Sequence, residues 1–334
     1  MPQRRLRIGI AGAGHFGRYH ALKVAASERA ELVGIHDPDE ERAKTVGWEA
    51  GAPAMGFAPL LAASDALVVA APAEQHHALA AAALRAGRHV LVEKPIAATL
   101  AEADELAALA AERGLVLQVG HLERFSAAHG MVEGRMGQPL YIEATRIAPF
   151  KQRGTDVSVI LDLMIHDLDL ILSLVDSPIE SVDAVGAAVA SPHEDIANAR
   201  VRFANGCVAT VTASRISFRT ERRMRIFAAE GYLAVDFAAR RLTLIGRGRG
   251  KPIPGIGEFG AEDVSWEDRD ALAAEHSAFA ASVLDGAPVL VDAAAGRRAL
   301  AAALAVMEGM AASHARAVAS GLIKQGEDGA RGGV

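Results

Sequence analysis

The stretch Leu161–Leu170 carries a polar stripe on what its pattern predicts to be a buried helix. Apolar residues cover most of its circumference, which is typical of a helix in a protein interior. At 3.6 residues per turn, Asp162, His166 and Asp169 fall within about 60° of one another. Buried carboxylates and imidazoles are costly unless paired, so the stripe indicates either a satisfied Asp–His hydrogen bond or a functional site.

This stripe contains the groups that a proton transfer requires. Imidazole titrates near neutral pH, so His166 could take a proton from a substrate hydroxyl. Asp162, four residues earlier, could orient the ring and stabilise the imidazolium. Asp169 is interpreted as structural support for the pair. The rest of the chain must decide between a core histidine and a catalytic base.

The segment Gly12–Gly17 matches G-x-G-x-x-G in the context of a dinucleotide site. It follows a predicted strand, Leu6–Ala11, and opens a predicted helix at His15. Asp37 ends the second predicted strand 20 positions after the last glycine. A strand, a glycine turn, a helix and a later acidic residue together are what binding of a dinucleotide requires.

The glycines of this motif have separate physical roles. Gly12 allows a tight turn, Gly14 lets the backbone approach a pyrophosphate, and Gly17 lets helix and strand pack closely. Asp37 would accept hydrogen bonds from the adenine ribose and repel a 2′-phosphate, so NAD is favoured; a neighbouring histidine and arginine leave NADP as the second choice. The predicted cofactor contacts are Gly12, Gly14, His15, Phe16, Gly17, Asp37, Pro72, His76, Glu93 and Lys94.

A second polar group follows the predicted strand His89–Val92, in the tripeptide Glu93-Lys94-Pro95. Pro95 prevents simple continuation of the strand and directs the lysine to the carboxyl edge of the sheet, where ligands bind in such folds. There Lys94 would hydrogen-bond the oxygen of a reacting alcohol and favour its anionic form. The alternative is a surface lysine at a strand end.

Two predicted domains would position these groups. Residues 1–122 alternate short apolar strands with helices, which predicts an α/β Rossmann domain with a doubly wound parallel sheet. Residues 123–320 contain strand after strand with few helices, which predicts an α+β substrate and oligomerisation domain with a large, mainly antiparallel, open sheet. Within it, residues 246–260 are predicted to form a loop. Residues 321–334 are predicted to be a frayed tail.

Composition bounds the remaining possibilities. The 334 residues suffice for two domains, and a net charge of −6 without a basic face argues against a nucleic-acid partner. No uninterrupted apolar run reaches the ~18 residues of a membrane span. The single cysteine, Cys207, cannot form an internal disulfide, so we expect a cytoplasmic protein. The histidines are scattered and there is no cysteine cluster, so no metal is predicted.

Taken in order, the glycine motif, Pro72 with His76, Glu93-Lys94-Pro95 and Asp162-x-x-x-His166 resemble the glucose–fructose oxidoreductase/inositol dehydrogenase/MocA family. The resemblance covers nearly the whole chain. It implies an NAD-dependent sugar dehydrogenase that acts on a CH–OH group, and it assigns Lys94, Asp162 and His166 to catalysis.

Further segments resemble one bacterial branch of that family, which oxidises C3 of UDP-N-acetylglucosamine on the way to a 3-amino sugar for lipid A. Among them are residues 119–125, 153–157 and 195–200. A nucleotide-sugar pyrophosphate needs cationic donors, although most arginines are solvated surface charges. The substrate-binding candidates are His121, Arg124, Arg146, Lys151, Arg153 and Arg215.

Two other interpretations remain open at this point. One is a dehydrogenase of a free sugar, inositol or another polyol. The other is a non-catalytic NAD-binding sensor, against which the intact Lys94, Asp162 and His166 argue. Because too few helices are available to cover both faces of the second sheet, we also expect a homodimer or homotetramer formed through that sheet.

Overall fold

The computed structural model describes residues 4–151, 154–155 and 157–322, and the chain divides into two units. The described residues up to 126, together with 269–300, form the first unit, and those of 127–268 and 301–322 form the second. The predicted boundary after residue 122 therefore lies close to the observed one. Residues 269–300, however, pack with the first unit, whereas the sequence places them in the second. A helical pattern identifies an apolar face but not the surface that covers it.

The first unit is built on a parallel sheet with strand order β2-β1-β3-β4-β5. Its strands are β1 (Leu6–Ala11), β2 (Ala30–His36), β3 (Ala66–Val69), β4 (His89–Glu93) and β5 (Leu117–Gly120). The helices between them are α1 (His15–Ala25), α2 (Glu40–Ala50), α3 (Phe57–Ala63), α4 (Ala73–Arg85) and α5 (Leu100–Arg113), and a 3₁₀ turn follows at Leu122–Phe125. This confirms the predicted doubly wound domain. Because β1 pairs with both β2 and β3, the strand order reverses beside β1, where such folds bind ligands.

Local chemistry explains why these elements begin and end where they do. Thr99 and Glu102 form a capping box at the start of α5, with the Thr99 side chain accepting from the Glu102 N–H at 3.2 Å. The same helix ends at Gly114, whose φ of +62° suits a left-handed C-cap. Both ends thus carry the residue types that local capping rules favour.

The second unit contains a larger sheet, which among the described residues has nine strands in the order β13-β14-β12-β11-β10-β6-β9-β8-β7. Its strands are β6 (Pro139–Ile147), β7 (Ile179–Ala187), β8 (Ile196–Phe203), β9 (Val208–Ser214), β10 (Glu221–Ala228), β11 (Gly231–Asp236), β12 (Arg241–Arg247), β13 (Lys251–Pro252) and β14 (Phe259–Ser265). Among the strand pairs of the described residues in this sheet, only β6–β9 is parallel, so the predicted mainly antiparallel sheet is confirmed. Along β8 buried and exposed residues alternate strictly, as expected when a helix layer covers one face.

The loop prediction for residues 246–260 is wrong in part. This segment contains β13 and the start of β14, which pairs with β12 from Arg247↔Phe259 to Arg241↔Ser265. Gly260 is part of the hairpin, because a Cβ there would lie only 1.7 Å from the carbonyl oxygen of Arg249. Glycine here marks a close backbone approach, which a sequence pattern cannot separate from an irregular loop.

The helix that carries the polar stripe is not uniform. After α6 (Ala127–Val132), a π-helical turn at Ile160–Met164 leads directly into α7 (Ile165–Leu174). The angular estimate from 3.6 residues per turn therefore does not hold across the first part of the stripe. Inserted π turns are frequent at functional sites.

Two long helices end the described chain, α8 (Ala271–Asp285) and α9 (Ala293–Ala319). On α8, Phe279 and Ala280 are buried in one core cluster with Leu6, Ile8 and Val24 of β1 and α1. In the described residues, no helix is long and apolar enough to cross a membrane. All but the first two residues of the predicted tail, 321–334, lie outside the described residues.

Candidate active site

The glycine loop after β1 has the geometry that its motif predicts. Gly12 has a φ of +102°, and a Cβ there would lie 2.4 Å from the carbonyl oxygen of Ala70. A Cβ on Gly17 would lie 1.9 Å from the carbonyl oxygen of Gly12. Among the described residues, and apart from its own chain neighbours, no atom lies within 4 Å of the corresponding position on Gly14. Gly12 and Gly17 are thus required by internal packing, whereas Gly14 presents bare backbone to open space at the N-terminus of α1.

Asp37 ties this loop to the end of β2. Its carboxylate is 8% exposed and accepts hydrogen bonds from the Ala13 N–H at 2.7 Å and the Asp39 N–H at 2.9 Å. A carboxylate can accept more than two hydrogen bonds, so ribose hydroxyls can still be accommodated. Next to it, His15 and Phe16 begin α1 with their rings edge to face, 5.8 Å apart.

His76 contacts the backbone of the turn that contains Lys94. The Lys94–Pro95 peptide is cis, and Lys94 is half-buried. The buried His76 on α4 contacts the Pro95 carbonyl oxygen through Nδ1 at 2.7 Å and the Ala71 carbonyl oxygen through Nε2 at 2.8 Å. Pro72 is the N-cap of α4. His76 therefore joins the segments that follow β3 and β4.

Glu93, at the end of β4, is a buried carboxylate with two donors. His20 Nε2 lies 2.8 Å from Glu93 Oε1, and the Lys94 N–H donates to Glu93 Oε2 at 3.3 Å. Burial opposes ionisation, but the hydrogen bond from His20 and the charges of His20, Lys94 and His76 hold the pKa of Glu93 below its ordinary value. Gly120 leaves room for this side chain, because a Cβ there would lie 3.0 Å from Glu93 Cδ.

Sequence reasoning missed three side chains beside Glu93, namely His20, Glu275 and His276. All three are buried, and ligand-type atoms of His20, Glu93 and Glu275 lie within 4.8 Å of one another. Because both ring nitrogens of His20 are at hydrogen-bond distance from protein groups, we assign no metal to this cluster. The signal that could have found it is the adjacent Glu-His pair within the mainly apolar α8.

Two substrate candidates also belong to the first unit. His121 follows β5 and is fully buried, and Arg124 is half-buried on the 3₁₀ turn after it. Both lie beyond the carboxyl end of a parallel strand, where ligands bind in this architecture.

In the second unit, Asp162 lies on the π turn and His166 on the first turn of α7, and both are half-buried. Asp169 is 2% exposed, in agreement with a supporting role. The Asp162 carboxylate packs on the backbone of Gly154, where a Cβ would lie 2.8 Å from Asp162 Oδ2. Gly154 has a φ of +80°, so glycine is required there twice, for its conformation and for this contact.

A Gly154→Ala substitution tests this contact. We expect turnover to fall roughly 10–100-fold, because the new methyl group displaces the Asp162 carboxylate and small misplacements of catalytic groups are costly. The matched control is Gly206→Ala, at a φ of +90°, where the new Cβ would meet no atom of the described residues within 4 Å beyond its chain neighbours. Steady-state kinetics of both variants separate the contact from backbone strain. Equal losses of turnover would contradict a specific role for Gly154.

The predicted pyrophosphate donor Arg146 is engaged by α7. Its Nε lies 2.8 Å from Asp167 Oδ2 and its Nη2 lies 2.9 Å from Asp167 Oδ1, a bidentate pair that is almost fully buried. This ion pair fixes the residue directly after His166. Lys151 is exposed, and Arg153 lies outside the described residues.

Arg215 must be removed from the substrate set. It is 4% exposed, and its donors are directed to protein acceptors: Nε to Asp195, Nη1 to Gly154 and Val157, and Nη2 to Ser191 and Glu194. A guanidinium has five N–H donors, and these contacts use all of them. Arg215 instead holds the loop that carries Gly154 against Asp162.

Asp195 completes this network from β8's N-terminal side. Besides Arg215, its carboxylate accepts from the backbone N–H groups of Val189, Ala190 and Ser191 at 2.6–3.0 Å. Burial opposes ionisation, but the hydrogen bonds from Arg215 and these donors keep the pKa of Asp195 far below its ordinary value. The carboxylate is therefore ionised at neutral pH.

Comparison with known proteins agrees with this geometry. Residues 6–121 match the oxidoreductase family with an NAD-binding Rossmann fold, and residues 125–234 match the GFO/IDH/MocA C-terminal domain. UDP-N-acetylglucosamine 3-dehydrogenase of Acidithiobacillus ferrooxidans is 44% identical over 303 residues, which cover 90% of this chain and 96% of that protein. The chain belongs to the Gfo/Idh/MocA oxidoreductase family. Membership confirms the resemblance and makes the chain an NAD-dependent dehydrogenase.

Solved structures of the family superpose along almost the whole chain. That of the Acidithiobacillus ferrooxidans dehydrogenase has a TM-score of 0.87 at 42% identity and covers 92% of this chain and 98% of its own. Scyllo-inositol dehydrogenase from Lactobacillus casei, with bound NAD(H) and scyllo-inositol, has a TM-score of 0.77 at 22% identity, covering 93% and 98%. The second likeness shows the fold alone.

Proposed function

We propose that this NAD-dependent dehydrogenase oxidises the C3 hydroxyl of UDP-N-acetylglucosamine to the 3-keto sugar nucleotide. The observation that carries the proposal is the 44% identity with a dehydrogenase of that activity, over 96% of its length. A lipid A pathway that uses a 3-amino sugar is the proposed context, and the cytoplasm is the proposed location. The single cysteine, Cys207, is compatible with a reducing compartment.

In the proposed reaction His166 accepts the proton of the C3 hydroxyl as the C–H bond breaks. Asp162 orients the imidazole and stabilises its charged form. Lys94 donates a hydrogen bond to the substrate oxygen, where negative charge develops. The glycine loop and Asp37 would hold NAD, which supplies the hydride acceptor when bound. His166 thus acts on the proton of the alcohol, Asp162 on the base itself and Lys94 on the alcohol oxygen.

The proposed substrate contacts are His121, Arg124, Arg146, Lys151 and Arg153. A UDP pyrophosphate carries negative charge that arginine forks and lysine bind well. Arg146 would contact the pyrophosphate while it stays paired with Asp167. Because part of its hydrogen-bonding capacity is used by Asp167, Arg146 would be a weaker donor than an unpaired arginine.

Incubation of the pure enzyme with NAD and UDP-N-acetylglucosamine should produce NADH absorbance. A coupled aminotransferase that consumes the keto product should increase the yield. A panel of free sugars, inositols and nucleotide sugars provides the comparison. NADH formation from inositol or a free sugar alone would replace the proposed substrate, and NAD binding without turnover on the whole panel would indicate a sensor.

A Lys94→Ala variant should bind NAD but turn over roughly 10²–10³-fold more slowly, because one donor to a developing oxyanion has been removed. Calorimetric NAD titration and steady-state kinetics measure the two properties separately. Lys44→Ala serves as control, since Lys44 is an exposed lysine on α2 whose partners are Glu40 and Glu41. Unchanged turnover in Lys94→Ala would exclude the lysine from the mechanism.

The proposed assembly is a homodimer or homotetramer through the sheet of the second unit. On β8 every second residue is exposed, beginning with Ile196 at 37% exposure. Tyr141, Phe227 and Tyr232 form a line of ring contacts on neighbouring strands of that sheet. An exposed sheet face of this kind suits a self-complementary interface. A monomeric mass in light scattering would contradict the proposal.

A further inference from the structure

Four polar side chains of the first unit form a buried cluster, namely His20 on α1, Glu93 at the end of β4, and Glu275 and His276 on α8. His20 and Glu275 are fully buried, and the other two are at most 9% exposed. His20 Nε2 lies 2.8 Å from Glu93 Oε1, and His20 Nδ1 lies 2.9 Å from His276 Nε2. An ionised carboxylate can only accept, so His20 Nε2 donates to Glu93.

The two carboxyl groups of this buried cluster have opposite surroundings. Glu93 accepts from His20 and from the Lys94 N–H, which is the pattern that stabilises a carboxylate. Neither carboxyl oxygen of Glu275 has a hydrogen-bond partner among the described residues. Carboxyl oxygens of Glu93 and Glu275 nevertheless lie within 4.8 Å of each other. Two carboxylates this close in a buried site cannot both ionise at an acceptable cost, so the proton belongs on Glu275.

The electrostatics of the cluster agree with this assignment. Burial, followed by the charge of Glu93, raises the pKa of Glu275 well above its ordinary value. Burial, followed by the charge of His20, lowers the pKa of His276 well below its ordinary value. Further charged and titratable groups on the surrounding elements include Lys23 on α1, His76 on α4, Lys94 after β4, Glu123 and Arg124 on the 3₁₀ turn, and Asp270 at the N-cap of α8.

We propose that Glu275 is a positioning residue, a buried neutral carboxylic acid whose proton keeps a second negative charge away from Glu93. The Glu93 side chain accepts from the Lys94 N–H, so the position of the lysine depends on that of Glu93. Ionisation of Glu275 would place a second negative charge against Glu93 and disturb this contact. The effect on turnover rests on the proposed role of Lys94, whereas the protonation state of Glu275 does not.

The same atoms are close enough together to raise the alternative of a bound divalent cation. The 2.8 Å separation of His20 Nε2 and Glu93 Oε1 is that of a hydrogen bond, and His20 Nδ1 faces His276. Neither ring nitrogen of His20 is thus directed at a common ion position. A proton on Glu275 accounts for the cluster without an ion.

A Glu275→Gln substitution tests the proposal, because glutamine keeps the shape and neutrality of a protonated glutamate. We expect its turnover at neutral pH to stay within about twofold of the wild-type value. In the folded protein the pKa of Glu275 lies above its ordinary value. The contribution of Glu275 to the free energy of unfolding is therefore complete below about pH 4.3 and is lost as the pH rises through the native pKa. The wild-type folding equilibrium constant should therefore fall by up to ~10-fold per pH unit in that window, relative to Glu275→Gln.

Urea unfolding of the protein between about pH 5 and 8 measures this difference, and the pH profile of kcat measures its effect on turnover. The control is Glu112→Gln, at an exposed glutamate of α5, which should retain the wild-type pH dependence. Infrared spectra of the wild-type enzyme should contain the carbonyl band of a buried protonated carboxylic acid, and Glu275→Gln should lack it. In Glu93→Gln that band should disappear at lower pH, because the repelling charge has been removed.

Three results would overturn the proposal: an unchanged pH dependence of unfolding in Glu275→Gln, the absence of the infrared band, or binding of Zn²⁺ or Mn²⁺ by the wild-type enzyme that Glu275→Gln abolishes. The unfolding and infrared measurements need no substrate. A failure of the proposed substrate assignment would therefore leave them unaffected and distinguishable.

Discussion

Replacement of His166 by asparagine is expected to lower kcat by about 10²–10⁴-fold, the range for loss of a general base. Asparagine retains a polar side chain of similar reach but cannot accept a proton at neutral pH. Binding of NAD should be unchanged, because the glycine loop and Asp37 that would hold it belong to the first unit, whereas His166 belongs to the second. Steady-state kinetics and calorimetric NAD titration check both expectations.

The matched control is His193→Asn, at an exposed histidine of the second unit. It should have wild-type kinetics. The acidic limb of the kcat profile provides a second test, since an unprotonated imidazole is required for proton abstraction. If His166→Asn retained that limb together with wild-type kcat, another group would have to be the base and the stripe would be structural.

An Arg215→Ala substitution is expected to destabilise the protein by about 3–5 kcal/mol, the usual cost of removing one partner from a buried ion pair. It leaves Asp195 buried without its guanidinium and removes the donors to Gly154 and Val157. An Arg215→Lys variant should lose less, since it keeps the charge but not the planar fork. Urea unfolding at neutral pH measures both, and Arg202→Ala, at an exposed arginine of β8, is the control.

The pH dependence of this destabilisation follows from Asp195. Its native pKa lies below the ordinary value, so its stabilising contribution is present above about pH 4 and is lost as pH falls through the native pKa. The difference in unfolding free energy between wild type and Arg215→Ala should therefore shrink in acid. A difference that stayed constant down to about pH 2 would show that the ion pair with Asp195 does not contribute.

Features that depend on residues close together in the chain could be predicted from the sequence. The glycine loop, the position of Asp37 and the capping residues of α5 follow from spacing rules over a few tens of residues at most. The turn at Lys94 was located in the same way, because a proline directly after an apolar strand is a local signal. Each of these features follows from a motif in neighbouring strands and helices, so the contacts that stabilise it are local in the sequence.

Features that join distant segments could not be predicted. His20 and His276 are separated by 256 positions, and no spacing rule relates α1 to α8. The sequence identifies Arg215 as a cation but gives no sign that all its donors are used internally. The π turn was missed because a period of 3.6 residues cannot represent an inserted residue. Sequence patterns identify the apolar faces and the ends of helices and strands. Which side chains those faces contact is determined only by tertiary packing.

During synthesis, the core beside β1 must stay open for most of the length of the chain. Phe279 shares that core with Leu6 and Ile8, yet the second unit's residues 127–268 are made in between. The segment that completes the first unit ends at Leu300. Until this segment has been synthesised, one apolar side of the amino-terminal strands stays uncovered. Contacts between such distant segments form slowly and leave surfaces that chaperones bind. The order of translation, rather than the size of either unit, therefore sets when the dinucleotide-binding half can fold completely.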